Sequence, residues 1–229
     1  MLKPMSLASR FLLVTAAFLA AACGRKMHRA QPIESQTVTV AGIPVHVEQS
    51  GPKDGRPLLF LHGGRFSSAT WKELGTLNWF GSRGFRAVAV DLPGFGKTPE
   101  SDLEEGQFLK QLGQSLKMNK PAVVAPSMSG RFLWPLVASE PDWFGALIPV
   151  APVGIEEAAS TIESVNIPAL IVWGDQDQVI PISMADRLAG MLVEAQNLIL
   201  LGAPHPCYLE RTQEFHDGLL KFLDDQSSS

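Results

Sequence analysis

Two serines in PAVVAPSMSG, Pro121 to Gly130, stand where an apolar run breaks into small residues, as a strand does when it turns sharply into a helix. A hydroxyl raised on such a turn acts as a nucleophile once a base takes its proton. The positions two before and two after it must be small, because strand and helix backbones pass close together there. Around Ser127 these positions hold Ala125 and Ser129; around Ser129 they hold Ser127 and Arg131, and the arginine is too bulky. Ser127 is therefore the candidate nucleophile, in a relaxed A-P-S-M-S in place of G-x-S-x-G. Helix capping is the ordinary alternative for either serine.

The base must come from few histidines. His28 lies near the N-terminus, His46 in an alternating strand and His216 on a C-terminal helix, all read as surface residues. His62, in LHGG, fits the ordering of a loop that supplies an oxyanion donor. His205 remains, framed by Pro204 and Pro206 after the run NLILLGAP. Its orienting carboxylate is Asp177 in WGDQD, with Asp175 as competitor or loop brace and Asp91 as a turn residue. The backbone N–H groups of Met128 and Gly64 are the candidate oxyanion donors, although a plain turn glycine explains Gly64 equally. Arg65 has two readings, a cation that steers an anionic substrate or a surface cation paired with a carboxylate, of which the second is the ordinary one, and Cys207 reads as a small packed residue.

These groups need a scaffold that gathers loops. The hairpin-like TVTVAGIPVHVEQ opens the pattern, followed by the apolar runs PLLFLHG, FRAVAVDLPG, PAVVAPS, ALIPVAP, PALIVWGD and NLILLGAPH. Runs without alternation suit strands buried on both faces of a parallel sheet. Segments of helical spacing lie between them. ATWKELGTLNWFGSRG is read as one helix ending at Gly84; SDLEEGQFLKQLGQSLK opens with Ser101 and Glu104 in capping-box spacing. YLERTQEFHDGLLKFLDD closes the chain with Leu209, Phe215, Leu219, Phe222 and Leu223 on one face. The alternation predicts an α/β fold, a mostly parallel doubly wound sheet with a leading antiparallel hairpin. Ligands then bind at the carboxyl ends of the strands, where Ser127, Asp177 and His205 all fall. Only VGIEEAASTIESVNI separates Pro152 from Pro168, which leaves space for one short helix and a minimal lid or none.

The stretches LHGGRFSSATWKELGTL, RAVAVDLPGFG, VVAPSMSG, PVAP, PALIVWGDQD and HPCYL resemble the α/β-hydrolase domain-containing protein 14 family across about residues 37 to 224. The resemblance implies an α/β-hydrolase fold and a serine hydrolase with Ser127, Asp177 and His205 as triad, in the chain order of that fold. It implies small acyl ester or acylated amine substrates. Two alternatives stand beside it. One is a protein-lysine deacetylase or acyltransferase that passes acetyl to a thiol such as coenzyme A, and the other a non-catalytic binding protein on the same fold.

The remaining features bound the partners. The 229 residues carry a net charge of -4 and are 45% apolar, which suits one globular domain over 37–225 and gives no basic field for nucleic acid. Neither a metal-ligand spacing nor a phosphate-binding glycine loop is present, so no cofactor or metal is expected. Lys3 and Arg10 precede an apolar stretch from Phe11 to Ala22, and Cys23 follows three alanines. This predicts a signal peptide over 1–22, lipidation at Cys23 and a tether over 23–36, with a frayed tail at 226–229. The chain would then be an exported bacterial lipoprotein, membrane-anchored on the periplasmic side. Ordinary cleavage after Ala22, or an uncleaved anchor, is the alternative.

Overall fold

The computed structural model describes residues 32–162 and 165–227. Eight strands form one sheet: β1 (Glu34–Val40), β2 (Ile43–Ser50), β3 (Arg56–Phe60), β4 (Phe85–Val90), β5 (Ala122–Pro126), β6 (Ala146–Val150), β7 (Ala169–Gly174) and β8 (Ala195–Leu200). They lie in the order β1-β2-β4-β3-β5-β6-β7-β8. The β1–β2 and β2–β4 pairs are antiparallel and every later pair is parallel. The leading hairpin turns at Ala41 and Gly42, both at positive φ, as the twist of a two-residue hairpin requires. Its first strand begins at Glu34, three residues ahead of the expected Thr37.

Helices cover both faces, which is why the strands read as unbroken apolar runs. On one face α3 (Glu105–Ser115), α4 (Gly130–Ser139), α5 (Ile155–Ile162) and α6 (Ser183–Ala189) bury Phe108, Leu133, Ile155 and Leu188 against Val123, Leu147 and Ile171. On the other, α1 (Ser68–Glu73), α2 (Thr76–Gly81), α7 (Cys207–Glu210) and α8 (Thr212–Asp225) bury Trp71, Phe80, Tyr208 and Phe215 against Val124, Ile148 and Val172. Successive residues of β5 and β7 thus enter opposite cores. Among the described residues between β6 and β7, α5 is the one helix, the short element expected in place of a lid.

Four local expectations differ. The helix read through Gly84 is two helices, broken at Gly75, whose φ of 71° stops the first before the second begins. The capping box does not form: Ser101 Oγ accepts from the Leu103 N–H at 3.1 Å, closing a local turn, and α3 starts only at Glu105. The terminal helix divides at Arg211, where extended φ separates α7 from α8. The histidines read as surface residues are also corrected. His46 is buried beside Glu48, and His216 is 3% exposed, its Nε2 2.9 Å from Thr76 Oγ1 and its ring against Trp79 and Phe80. The polar edge of α8 is covered by α2, a tertiary contact that periodicity along one helix does not encode.

Burial pushes the His216 imidazole down to about 4. The unfolded chain binds a proton near pH 6.5 and the folded one does not, so this contribution is present above that pH and is lost as pH falls towards about 4. In urea unfolding, His216→Gln is expected to lessen the stability lost between pH 7 and pH 5 by about 2 kcal/mol. Parallel pH profiles of wild type and variant would contradict it.

Candidate active site

Ser127 sits at the break between β5 and α4. Pro126 is extended, Ser127 has φ 49°, and residues Ser127–Ser129 make one 3-10 turn before the helix starts. A non-glycine residue in this left-handed region costs on the order of 1–2 kcal/mol, so neighbours must hold it. The loop after β6 does so. The Val153 N–H donates to the Ser127 carbonyl at 2.9 Å, and Ala151 in that loop also has positive φ, 40°. A Cβ on Gly130 would lie 2.2 Å from the Val153 carbonyl oxygen, so the close approach needs glycine there. Ser129 is fully buried. Its Oγ is 2.8 Å from the Pro126 carbonyl and 3.2 Å from that of His62, bracing the elbow from behind.

The Ser127 hydroxyl points to His205. Oγ lies 2.8 Å from His205 Nε2, and His205 Nδ1 lies 2.7 Å from Asp177 Oδ2. The Asp177 side chain is sealed from solvent, and its Oδ1 accepts from the N–H groups of Val179 at 2.8 Å and Ile180 at 2.9 Å. A carboxylate held this way directs the Nδ1 proton towards itself and leaves Nε2 as acceptor for the serine hydroxyl. Asp175 takes the bracing role: Oδ1 accepts from Gly202 N–H at 2.6 Å and ties together the loops after β7 and β8. Gly174 makes the approach of those loops possible, since a Cβ there would meet the Ala203 and Pro204 carbonyl oxygens at 2.2 and 2.6 Å.

The other candidates separate by their partners. His62 is fully buried; its Nδ1 donates to the Gly63 carbonyl at 2.9 Å and its Nε2 accepts from Leu92 N–H at 3.0 Å. Both ring nitrogens are engaged with backbone, and burial lowers its pKa, so it orders the loop as a neutral ring. Asp91 accepts from the N–H groups of Ser68 and Lys97, both at 2.8 Å, the turn role expected of it. Cys207 is fully buried, and desolvation, with Asp177's charge adding, pushes its thiol up to about 12. A protonated, enclosed thiol is no second nucleophile. Arg65 is exposed, and no carboxylate among the described residues pairs with it, contrary to the surface ion pair expected.

Ser127 and His205 open onto a cavity of about 620 Å³. Gly64 and Met128 border it side by side, a Cβ on the glycine falling 3.7 Å from Met128 Cβ. Phe66, Val150, Val153, Val179 and Tyr208 supply apolar wall. Sequence reasoning missed the parts of Gly130 and Gly174, two positions beside the site where a distant loop approaches too closely for a Cβ. Their glycines are visible in the chain, but the approaching carbonyls come from distant segments.

The Alpha/beta hydrolase family model matches residues 58–132. The chain is 39% identical over 198 residues to "Putative protein-lysine deacylase ABHD14B" of Homo sapiens, covering 82% of this chain and 93% of that protein. It is 35% identical over 173 residues to Protein ABHD14A of Mus musculus, covering 73% and 70%. A predicted CIB-like hydrolase from Thermoplasma acidophilum superposes with a TM-score of 0.81 at 24% identity, over 85% of this chain and 99% of that one. A carboxylesterase from Bacillus subtilis gives 0.74 at 20% identity, over 84% and 92%. These two structures share the fold.

The relatives correct the localisation. Proteins matching most of the chain are ABHD14 proteins of Homo sapiens, Pongo abelii and Rattus norvegicus, which are not bacterial periplasmic lipoproteins. The exported, membrane-anchored reading, with its signal-peptide and lipoprotein assignments, rested on a basic start, an apolar run and a cysteine after three alanines, and does not stand. Cys23 lies outside the described residues, and among those described no helix is long and apolar enough to cross a membrane.

Gly174→Ala is expected to cost about 1–3 kcal/mol in urea unfolding, since its methyl collides with backbone. Gly190→Ala, whose Cβ would meet nothing nearer than 3.5 Å, serves as control and should stay within about 0.5 kcal/mol of wild type. Equal effects at the two glycines would contradict the close-approach argument.

Proposed function

The chain belongs to the ABHD14 family of α/β-hydrolases, and from that premise we propose that it is a serine hydrolase that cleaves short acyl esters or acylated amines through an acyl-enzyme on Ser127. The observation that carries the reading is the unbroken hydrogen-bond chain Ser127–His205–Asp177 opening onto the cavity.

In this mechanism His205 Nε2 takes the Ser127 proton as Oγ bonds to the acyl carbon. The carbonyl oxygen becomes an oxyanion facing the N–H groups of Met128 and Gly64. One such donor contributes about 3 kcal/mol to the transition state. The bond to the leaving oxygen or nitrogen then breaks, and that atom receives the proton from His205. Water attacks the acyl carbon in turn, giving its proton to His205, and Oγ leaves with that proton as the free acid departs. Asp177 keeps its charge throughout and stabilises the imidazolium.

Two observations support the choice of substrate. The relative named as a protein-lysine deacylase supports acylated lysine beside simple esters. The single helix α5 between β6 and β7 leaves the cavity broad and open, which favours short acyl chains over long ones.

A fluorophosphonate probe is expected to label wild type and leave Ser127→Ala unlabelled. Asp177→Asn should lower kcat for a short p-nitrophenyl ester by about 10³–10⁴. Equal labelling of Ser127→Ala would overturn the nucleophile, and no labelling of wild type would favour a non-catalytic binding protein. Across a series of acyl lengths, kcat/KM should be highest for acetyl to butyryl esters and fall steeply for long chains. A preference for long chains would refute the open-site argument. Adding a thiol acceptor separates hydrolysis, which yields free acid, from transfer, which yields an acyl thioester.

A further inference from the structure

Among the described residues, Arg65 and Arg131 are the two strongly basic ones on the wall of the cavity, and no Asp or Glu lines it. Arg131 is already engaged, its Nη2 2.5 Å from Glu105 Oε1. Arg65 has no such carboxylate among the described residues, although the whole chain carries a net charge of -4. An unpaired cation at the mouth of a cavity, on an acidic protein, marks one place where the local field favours an anion.

Its position is fixed. The Phe66 N–H donates to the Gly63 carbonyl at 3.1 Å, closing a turn around Gly64 and Arg65, and His62 ties the start of that turn to Leu92. The Arg65 Cα therefore stands about 3.8 Å along the chain from Gly64, which faces Met128. The guanidinium is rooted beside the spot where the proposed mechanism holds the carbonyl oxygen. The adjoining wall at Phe66, Val153 and Val179 is apolar and offers an anion no competing partner. A guanidinium fork matches a planar or tetrahedral oxyanion group in two-point contact, which an ammonium does not do.

We propose that Arg65 is a specificity residue that selects substrates bearing an anionic group a few atoms from the scissile carbonyl. The proposal rests on the serine-hydrolase reading for the identity of the reacting bond. The anion is a carboxylate at the end of the acyl chain or an acidic group on the leaving side, and both present the same chemistry to the guanidinium.

Three aryl esters test it: the p-nitrophenyl glutarate half-ester, charged on the acyl side; 4-acetoxybenzenesulfonate, charged on the leaving side; and the neutral p-nitrophenyl pentanoate ester. Arg65→Gln is expected to lower kcat/KM for at least one charged ester tenfold or more relative to the neutral one, chiefly through KM. Arg65→Lys should keep part of the preference, and raising salt from about 0.02 to about 0.5 M should narrow it in wild type. The charged ester that responds identifies the side of the anion. The ratio of charged to neutral ester staying constant across all three proteins overturns the proposal. Calorimetric binding of the intact glutarate half-ester and pentanoate ester to Ser127→Ala, with and without Arg65→Gln, separates the two readings. Charge-dependent binding that needs Arg65, together with no hydrolysis of any of the esters by wild type, sinks the hydrolase reading and upholds the anion site at Arg65. Serine-dependent hydrolysis with binding indifferent to charge does the reverse.

Discussion

The Asp177 carboxylate is a charge removed from water, and three N–H donors are what make that tolerable: Val179 and Ile180 on one oxygen and His205 on the other. A buried carboxylate with an unfilled lone pair would cost several kcal/mol or take up a proton. The loop after β7 folds back on itself to supply two donors, and the loop after β8 must deliver the third. This requirement sets the imidazole's tautomer, and through it the direction in which the Ser127 hydroxyl points. Gly174 and Asp175 then serve one geometric end, holding those two loops at contact distance.

A second constraint acts from the other side of the cavity. Ser127 and Ala151 both sit at positive φ without being glycine, and each lies directly after a central parallel strand. Strain of this kind persists only where surroundings over-determine it. Here β5 and β6 are buried along their whole lengths, the Ser127 carbonyl is fixed by Val153 N–H, and Ser129 is braced against two carbonyls. The serine is raised because every other direction is occupied. Rigid strands below and clamped loops above hold Ser127, His205 and Asp177 in register with α5 as the one helix among the described residues between β6 and β7.

The architecture and the rim were legible in the sequence because both follow from one-dimensional patterns. Unbroken apolar runs specify strands buried on two faces, and the order serine, aspartate, histidine maps onto successive strand ends once the sheet is parallel. Ser127, Asp177 and His205 come together in space for that reason, and Asp91 and His62 take the loop-ordering parts expected of them. What stayed hidden depends on contacts between distant segments. Nothing in the spacing around His216 reveals that α2 lies over it, and Ser101 and Glu104 fit a capping box that the chain declines in favour of a tighter local turn. An isolated glycine such as Gly75 is compatible with a helix in sequence, whereas its left-handed φ ends one here. The N-terminal reading failed differently: a basic start, an apolar run and a cysteine after three alanines all belong to one contiguous segment, and no second, independent placement tied that segment to a cellular address.

The same distinction explains why Arg65 escaped its ordinary reading. An arginine in a polar loop is usually balanced by a nearby carboxylate, and an acidic chain makes that expectation stronger. The acidic residues here are spent elsewhere: Glu105 on Arg131, Glu48 on Lys72, Asp91 on two backbone N–H groups and Asp177 on His205. The cavity wall is thereby cleared of negative charge while one positive charge remains at its mouth. Charge at the mouth of this cavity depends on which carboxylates backbone N–H groups and neighbouring side chains have already engaged, and the net charge of the chain does not foretell it.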